Sequence, residues 1–370
     1  MRVIVIGAGI GGASCAYHLV RRGVEVVVVD DQVVGAATSA GAGIVSPWTA
    51  RQVGPGFGLA ARAGAYYPTL VELLGEDGEQ DVSFEIVGAL AVSDSDADLA
   101  GVVERLTERA RQWPELGEIR RLDAAQARQL FPPLSDELGA VHVSGAGRVD
   151  GRVLREALLR AAQRRGLRCL TGRAGLLVEG ERVRGVVVDG ERVEADAVVV
   201  SAGAWTPEVL APLGVRLPIE PQRGQISHFA VPGADTTAWP VVLPPTGHYL
   251  LAFPGSHVVA GATRETGSGF DHRVTAEGQR EVLEHALRVA PGLGAATLTE
   301  TRVGFRPATP DGAPIVGSLD GHPEVVLTTG FGPAGLTVAP FAGRLAAQLV
   351  LGEEPEVALD EVAPGRFSRR

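Results

Sequence analysis

No lysine occurs among the 370 residues, so all 34 basic side chains are arginines. With abundant alanine, glycine and valine, this reads as a coding bias rather than as chemistry. Only two cysteines are present, Cys15 and Cys169, far apart and without a Cys-x-x-Cys pair. That argues against a disulfide framework, a thiolate metal site and any enzyme that works through a redox cysteine pair. Cys15 falls one turn into an expected helix and reads as a small buried residue. The eight histidines show no ligand-like spacing, so no metal is expected. No run approaches the ~18 uninterrupted apolar residues of a membrane span. The N-terminal apolar run is not expected to be a signal peptide, because it carries a glycine pattern and Arg21 and Arg22 follow it. The expectation is therefore a cytoplasmic protein. The formal charge of −10 argues against nucleic acid as a partner. It does not argue against a small anion, which local helix ends and arginines can hold. Internal repeats and low-complexity tracts are absent. A hydrophobic content of 45% with 21% charged residues is that of a globular protein, and the length admits two domains.

What is present begins at once. Val3 to Ile6 reads as a buried parallel strand and breaks into Gly7-Ala8-Gly9-Ile10-Gly11-Gly12. Gly7 permits a tight turn, Gly9 lets the backbone approach a pyrophosphate, and Gly12 lets the next helix pack on the strand. The amides at that helix start form an anion site. A second strand, Val24 to Val29, ends at Asp30 and Asp31, where a carboxylate accepts hydrogen bonds from an adenosine ribose. Strand, glycines, helix, strand and acid in register indicate a dinucleotide site. NAD, NADP and FAD all fit the pattern, and the acid disfavours the 2′-phosphate of NADP.

Ala13 to Arg22 reads as the crossover helix. Gly35 to Gly43 is small and turn-rich, and can lie flat against a cofactor. Helical periodicity marks 59–74, 98–113 and 153–165, and 87–92 alternates like a strand. Residues 175–183 and 185–193 read as two short strands of a hairpin, with Glu-Gly and Asp-Gly turn signals. Ala195 to Ser201 is another buried strand, running into Ala202-Gly203-Ala204-Trp205 at the strand end where α/β sheets bind ligands. Residues 219–300 read as mainly antiparallel strands with one helix, Ala276 to Val289. A strand at Val325 to Thr329 leads through Gly330-Phe331-Gly332-Pro333-Ala334-Gly335 into a helix, Leu336 to Leu351. Small-residue segments at the start, middle and end imply a discontinuous cofactor domain with a second domain inserted twice. The expected division is 1–82, 146–218 and 301–370 for the cofactor domain, and 83–145 and 219–300 for the substrate domain.

These segments together resemble the D-amino-acid oxidase superfamily of FAD enzymes, especially glycine or sarcosine oxidases and D-amino-acid dehydrogenases. The resemblance rests on the N-terminal fingerprint, Thr38-Ser39-Ala40, Ala202 to Trp205, Pro221-Gln222-Arg223-Gly224-Gln225, Gly261-Ala262-Thr263, Arg306 to Gly312, and the closing glycine loop and helix. These lie in family order over essentially the whole chain. The resemblance implies an α/β fold: an FAD-binding Rossmann-like domain plus a substrate domain built on a mainly antiparallel sheet. It implies FAD contacts at Gly7, Gly9, Gly11, Gly12, Asp30, Asp31, Thr38, Ser39, Ala40, Gly43, Ile44, Ala174, Ala202, Gly203, Trp205, Gly304, Gly332, Pro333, Ala334, Gly335, Leu336 and Thr337. The loop Gly330 to Gly335 and the helix after it aim amides and a helix dipole where negative charge develops on a reduced flavin ring.

The implied chemistry is oxidation of a small amino acid of the D-amino acid, glycine or N-methylglycine type. Hydride passes from Cα to flavin N5, and the imine hydrolyses to a keto acid. Arg306 is the expected bidentate partner of the substrate carboxylate, and Tyr249 its hydroxyl donor. Arg264 either faces the substrate and selects a polar or acidic group, or pairs on the surface with Glu265 or Asp271. His248 and Trp48 are further candidates for the pocket. Phe331-Gly332-Pro333-Ala334 departs from the family pattern of a histidine after the first glycine, which leaves the carboxylate to Arg306 and Tyr249. The electron acceptor is oxygen or another acceptor. Two other readings stand beside this one: a specialised amine or imino acid oxidase, and a flavin subunit passing electrons to a partner or quinone. The oligomeric state, including a homo-oligomer, stays open.

Overall fold

Alternate residues of the first strand, Arg2–Ile6, belong to different cores, which explains its unbroken apolar run. Val3 and Val5 join one core, and Ile4 and Ile6 the other. The computed structural model describes residues 1–51 and 53–367. Its six-stranded sheet has the order Ile315–Leu319, His322–Thr329, Ala197–Val200, Arg2–Ile6, Glu25–Asp30, Arg168–Thr171. All neighbours are parallel except the first pair. The helices Ile10–Arg21, Phe57–Glu76, Gly151–Arg164 and Gly335–Val350 pack on one face. The other face carries a three-stranded antiparallel sheet, Ala174–Glu179, Arg182–Val188 and Glu191–Glu194. The sequence suggested two strands here. The Asp189-Gly190 turn, with Asp189 at φ 49°, divides the second of them and adds a third.

A second large sheet has eight strands. Its order is Thr297–Ala308, Glu220–Ala230, His257–Gly261, Tyr249–Phe253, Val241–Leu243, Ala89–Ser93, Gly139–Val143, Ile119–Leu122. All pairs are antiparallel except 241–243 with 89–93. One face packs on the helices Ala276–Val289 and Ala124–Leu130. The strand Thr297–Ala308 runs unbroken across the expected boundary at 301, paired along its length with Glu220–Ala230. An isolated bridge from Ala36 to Phe305 ties it to the cofactor-side loop. The two sheets thereby meet where the small-residue segments lie.

The helix interface contains a buried histidine with consequences for pH. His18 is 3% exposed, and its Nε2 lies 2.9 Å from the Tyr66 hydroxyl. Burial, reinforced by Arg344 and other arginines, lowers its pKa to about 3. The unfolded chain, with an ordinary histidine, therefore binds the extra proton first. Stability is full above pH 6.5 and is lost as pH falls below it. Between pH 7 and pH 5 the loss from this group is about 2 kcal/mol. Urea unfolding of the wild type and of His18→Gln should converge by about that amount over this interval. A gap that does not change with pH would remove His18 as the cause.

Candidate active site

The glycine turn is built by close backbone approach. Gly7 has φ +98°, and a Cβ there would overlap the Ser201 carbonyl oxygen. A Cβ at Gly12 would overlap the Gly7 carbonyl oxygen, so the helix Ile10–Arg21 can seat on the strand only with glycine at that place. Asp30 holds the turn in position: its carboxylate accepts from the Ala8 amide at 2.6 Å and the Gln32 amide at 2.8 Å. The Ile10 amide donates to Thr38 Oγ1 at 3.0 Å. The N-cap residues of the helices starting at Ile10 and Gly335, Gly9 and Ala334, supply no side-chain cap, which apart from the Ile10 amide leaves first-turn amides for an anionic group.

These elements wall a cavity of about 890 Å³. It runs from Asp30, Asp31, Gly172 and Ala174, past Gly7, Gly9 and Gly11, to Tyr249, Arg264 and Arg306. Of the expected contacts, Thr38, Ala40, Gly43, Ile44, Ala202, Gly203, Trp205, Gly304, Gly332, Pro333, Gly335 and Leu336 also line it. Gly12, Ser39, Ala334 and Thr337 do not. Gly12 packs behind the turn, Ser39 is exposed, Ala334 closes a turn on Phe331, and Thr337 donates to the Ile44 carbonyl at 2.8 Å.

At the far end, cross-strand glycines make room for two polar side chains. Arg306 rises from Thr297–Ala308, and its Nη1 donates to the Thr263 carbonyl at 2.9 Å. A Cβ at Gly224 on the neighbouring strand would stand only 2.5 Å from Arg306 Nη2 and 2.6 Å from Nη1. Tyr249 lies opposite Gly261, where a Cβ would overlap its hydroxyl. Burial lowers the Arg306 pKa, an effect that Tyr249 opposes, and a guanidinium stays charged. Burial raises the Tyr249 pKa against the pull of Arg306 and Arg264, so the phenol keeps its proton. The pair offers a cation and a hydroxyl donor side by side, which suits a carboxylate.

Arg264 is exposed and stands on the cavity wall, near enough to Arg306 and Tyr249 to shift both. The carboxylates named as surface partners are engaged elsewhere: Glu265 and Asp271 both pair with Arg223. Among the described residues Arg264 has no ion-pair partner. His248 and Trp48 are not on the wall. His248 stacks on His285 at 3.6 Å, with Nε2 3.2 Å from Glu281. Trp48 is buried under the helix Asp96–Ala110 among Leu99, Leu106 and Val141. Phe270 and Phe305 are wall residues that the sequence reading missed; Phe270 stacks on Trp205 at 4.7 Å. Gly224 and Gly261 stood in the quoted motifs, but their purpose appears only in the cross-strand register.

Comparison with known proteins agrees with this architecture. The profile of the DAO family, FAD dependent oxidoreductase, matches residues 2–349. The chain belongs to the DAO family of FAD-dependent oxidoreductases. Within that family it is 46% identical over 363 residues to the uncharacterized oxidoreductase YurR of Bacillus subtilis, covering 98% of each chain. It is 31% identical over 370 residues to a glycine oxidase of Pseudomonas putida, again over 98% of each. The crystal structure of iminodiacetate oxidase from Chelativorans sp. BNC1 superposes with a TM-score of 0.96 at 47% identity, covering 98% of this chain and 99% of that one. The cofactor of a DAO-family oxidoreductase is FAD. The glycine turn, which Gly7 and Gly12 let pack tightly against the strand ends, the bare backbone of Gly9 and Gly11 on the cavity wall and the two helix starts fit that dinucleotide. Among the described residues no group of three or more histidine, cysteine, aspartate or glutamate side chains is placed to hold a metal ion. None of the described helices is long and apolar enough to cross a membrane.

Proposed function

We propose that the protein oxidises a small amino acid or N-substituted glycine, with Arg306 and Tyr249 holding its carboxylate. The observation that carries this reading is the Arg306 guanidinium seated over Gly224 beside Tyr249, in the same cavity as the glycine turn. FAD, when bound, accepts the Cα hydride. The chain's part is to bind, orient and shield. Arg306 and Tyr249 fix the carboxylate and hence the direction of the adjacent C–H bond. Phe305, Phe270 and Trp205 supply an apolar wall. No histidine or carboxylate lines the Arg306 end among the described residues. The amine therefore reaches the reacting position already neutral, and the cations Arg306 and Arg264 favour that form. Loss of the hydride and the N–H proton leaves an imine, which water converts to an oxo acid and the released amine or ammonia.

Arg264 sharpens the substrate class. A second guanidinium on the same cavity, free of any acidic partner among the described residues, suits a second carboxylate. An N-carboxymethyl glycine carries two, and the structural neighbour named iminodiacetate oxidase is one whose name specifies such a compound. The test is a kinetic panel of glycine, sarcosine and iminodiacetate with wild type and Arg264→Ala. Peroxide formation in air and dye reduction under argon read the electron acceptor. The substitution should raise KM for iminodiacetate about tenfold more than for sarcosine, the worth of one charge-assisted hydrogen bond. Equal effects on the two substrates would assign Arg264 to the surface.

A further inference from the structure

The strand Glu220–Ala230 has two functional faces because successive side chains alternate. Gly224 and Ile226 line the cavity. Arg223 and Gln225 point the other way and are buried, Arg223 at 7% exposure and Gln225 at 0%. The segment that returns beside this strand alternates in the same manner. Ala262 and Arg264 line the cavity, while Thr263 and Glu265 meet Arg223 and Gln225 behind it.

The hidden face is densely bonded. Arg223 Nε and Nη2 donate to Glu265 Oε2 at 2.9 and 2.5 Å, and the backbones of Arg223 and Glu265 exchange both amide hydrogen bonds. Glu265 Oε1 accepts from Gln225 Nε2 at 2.8 Å and from the Thr263 hydroxyl at 2.7 Å. Burial would raise the Glu265 carboxyl, but these donors hold it below its ordinary range. The same arginine also reaches the far end of the segment. Its Nη1 donates to the Asp271 carbonyl at 3.0 Å and pairs with the Asp271 carboxylate at 2.9 Å. Gln225 completes the closure: it donates to Thr275 Oγ1 at 2.9 Å and accepts from the Thr275 amide at 3.0 Å. Thr275 in turn caps the helix Ala276–Val289. Gly278 leaves room there, since a Cβ on it would overlap Gln225 Nε2. Both ends of 264–275 are thus fastened to two side chains of one strand, and the segment presents Arg264 and Phe270 to the cavity.

We propose that Arg223 is a positioning residue that sets substrate specificity by fastening segment 264–275 so that Arg264 faces the second carboxylate. This rests on the dicarboxylate reading of Arg264 given above. Lysine at 223 keeps the charge but cannot span Glu265 and Asp271 with one fork.

The test uses the FAD-loaded protein and two non-oxidisable thioethers, thiodiacetate with two carboxylates and (methylthio)acetate with one. Dissociation constants are read from perturbation of the flavin spectrum, and amide hydrogen exchange reports on 264–275. Arg223→Lys should weaken thiodiacetate about five- to tenfold more than (methylthio)acetate and speed exchange in the segment. In an Arg264→Ala background it should add little to the ratio, because both changes remove one interaction. Asp271→Asn, at the more exposed end, should give a smaller change in the same direction and serves if Arg223→Lys does not fold. Equal weakening of both ligands, or full additivity with Arg264→Ala, would overturn the positioning role. If Arg264→Ala alone leaves the ratio unchanged, the dicarboxylate reading fails and the positioning role fails with it. If Arg264→Ala changes the ratio and neither Arg223→Lys nor Asp271→Asn does, the positioning role alone fails.

Discussion

Replacing Arg306 by alanine should lower kcat/KM for carboxylate-bearing amines by about 10²–10⁴-fold while FAD stays bound. The size is that of removing one partner from a desolvated charge pair, about 3–5 kcal/mol. The guanidinium is largely enclosed, with Thr263, Gly224 and Tyr249 around it. The glycine turn and the helix starts that suit the dinucleotide lie on other elements. Flavin content and spectrum should therefore change little. Arg306→Lys should recover only part of the loss, because one ammonium cannot reproduce a planar fork. Wild-type kinetics in the alanine variant would place the substrate elsewhere in the cavity.

Gly224→Ala should reduce turnover by about 10–10²-fold with a stability change within about 1 kcal/mol. Its methyl group would stand 2.5–2.6 Å from three atoms of the Arg306 guanidinium and must displace it. The obstructed group is the free end of a long side chain rather than backbone, so the fold can yield cheaply. The site cannot, because the guanidinium leaves the place beside Tyr249 proposed for the substrate carboxylate. Combined with Arg306→Ala, the glycine change should add little, since the two act through one group. Heat or urea unfolding alongside steady-state kinetics separates these outcomes: a large stability loss with unchanged kinetics would mean that Gly224 serves packing alone.

The cofactor end of this protein was largely legible in the sequence, and the reasons are physical. A strand buried on both faces must be an unbroken apolar run, and a turn in which a Cβ collides with carbonyl oxygens must be glycine. Both signals are local. The substrate end depends on register between distant strands. Gly224 reads as an ordinary motif glycine until Thr297–Ala308 is laid beside it and the Arg306 guanidinium is found above it. His248 precedes Tyr249 in sequence, but the chain enters its strand there, and the imidazole instead stacks on His285 of a helix. Trp48 lies close to the cofactor loop in sequence, yet the helix Asp96–Ala110 covers it. The short helix Ala124–Leu130 was also missed. Its Asp123 and Gln126 capping box is a local signal, but seven residues give too little periodicity to weigh against a loop. Arg264 shows the same limit: from the sequence it either faces the substrate or pairs with Glu265 or Asp271, and the structure gives both carboxylates to Arg223.

Anaerobic mixing of the FAD-loaded protein with sarcosine or iminodiacetate, followed at the oxidised-flavin absorbance, tests most directly whether Arg306 presents a carboxylate-bearing amine to the flavin. Rapid bleaching is expected in the wild type, and bleaching slower by about 10²-fold or more in Arg306→Ala at the same amine concentration. Equal bleaching rates in the two proteins would refute that assignment, as would a wild type reduced only by amines without a carboxylate.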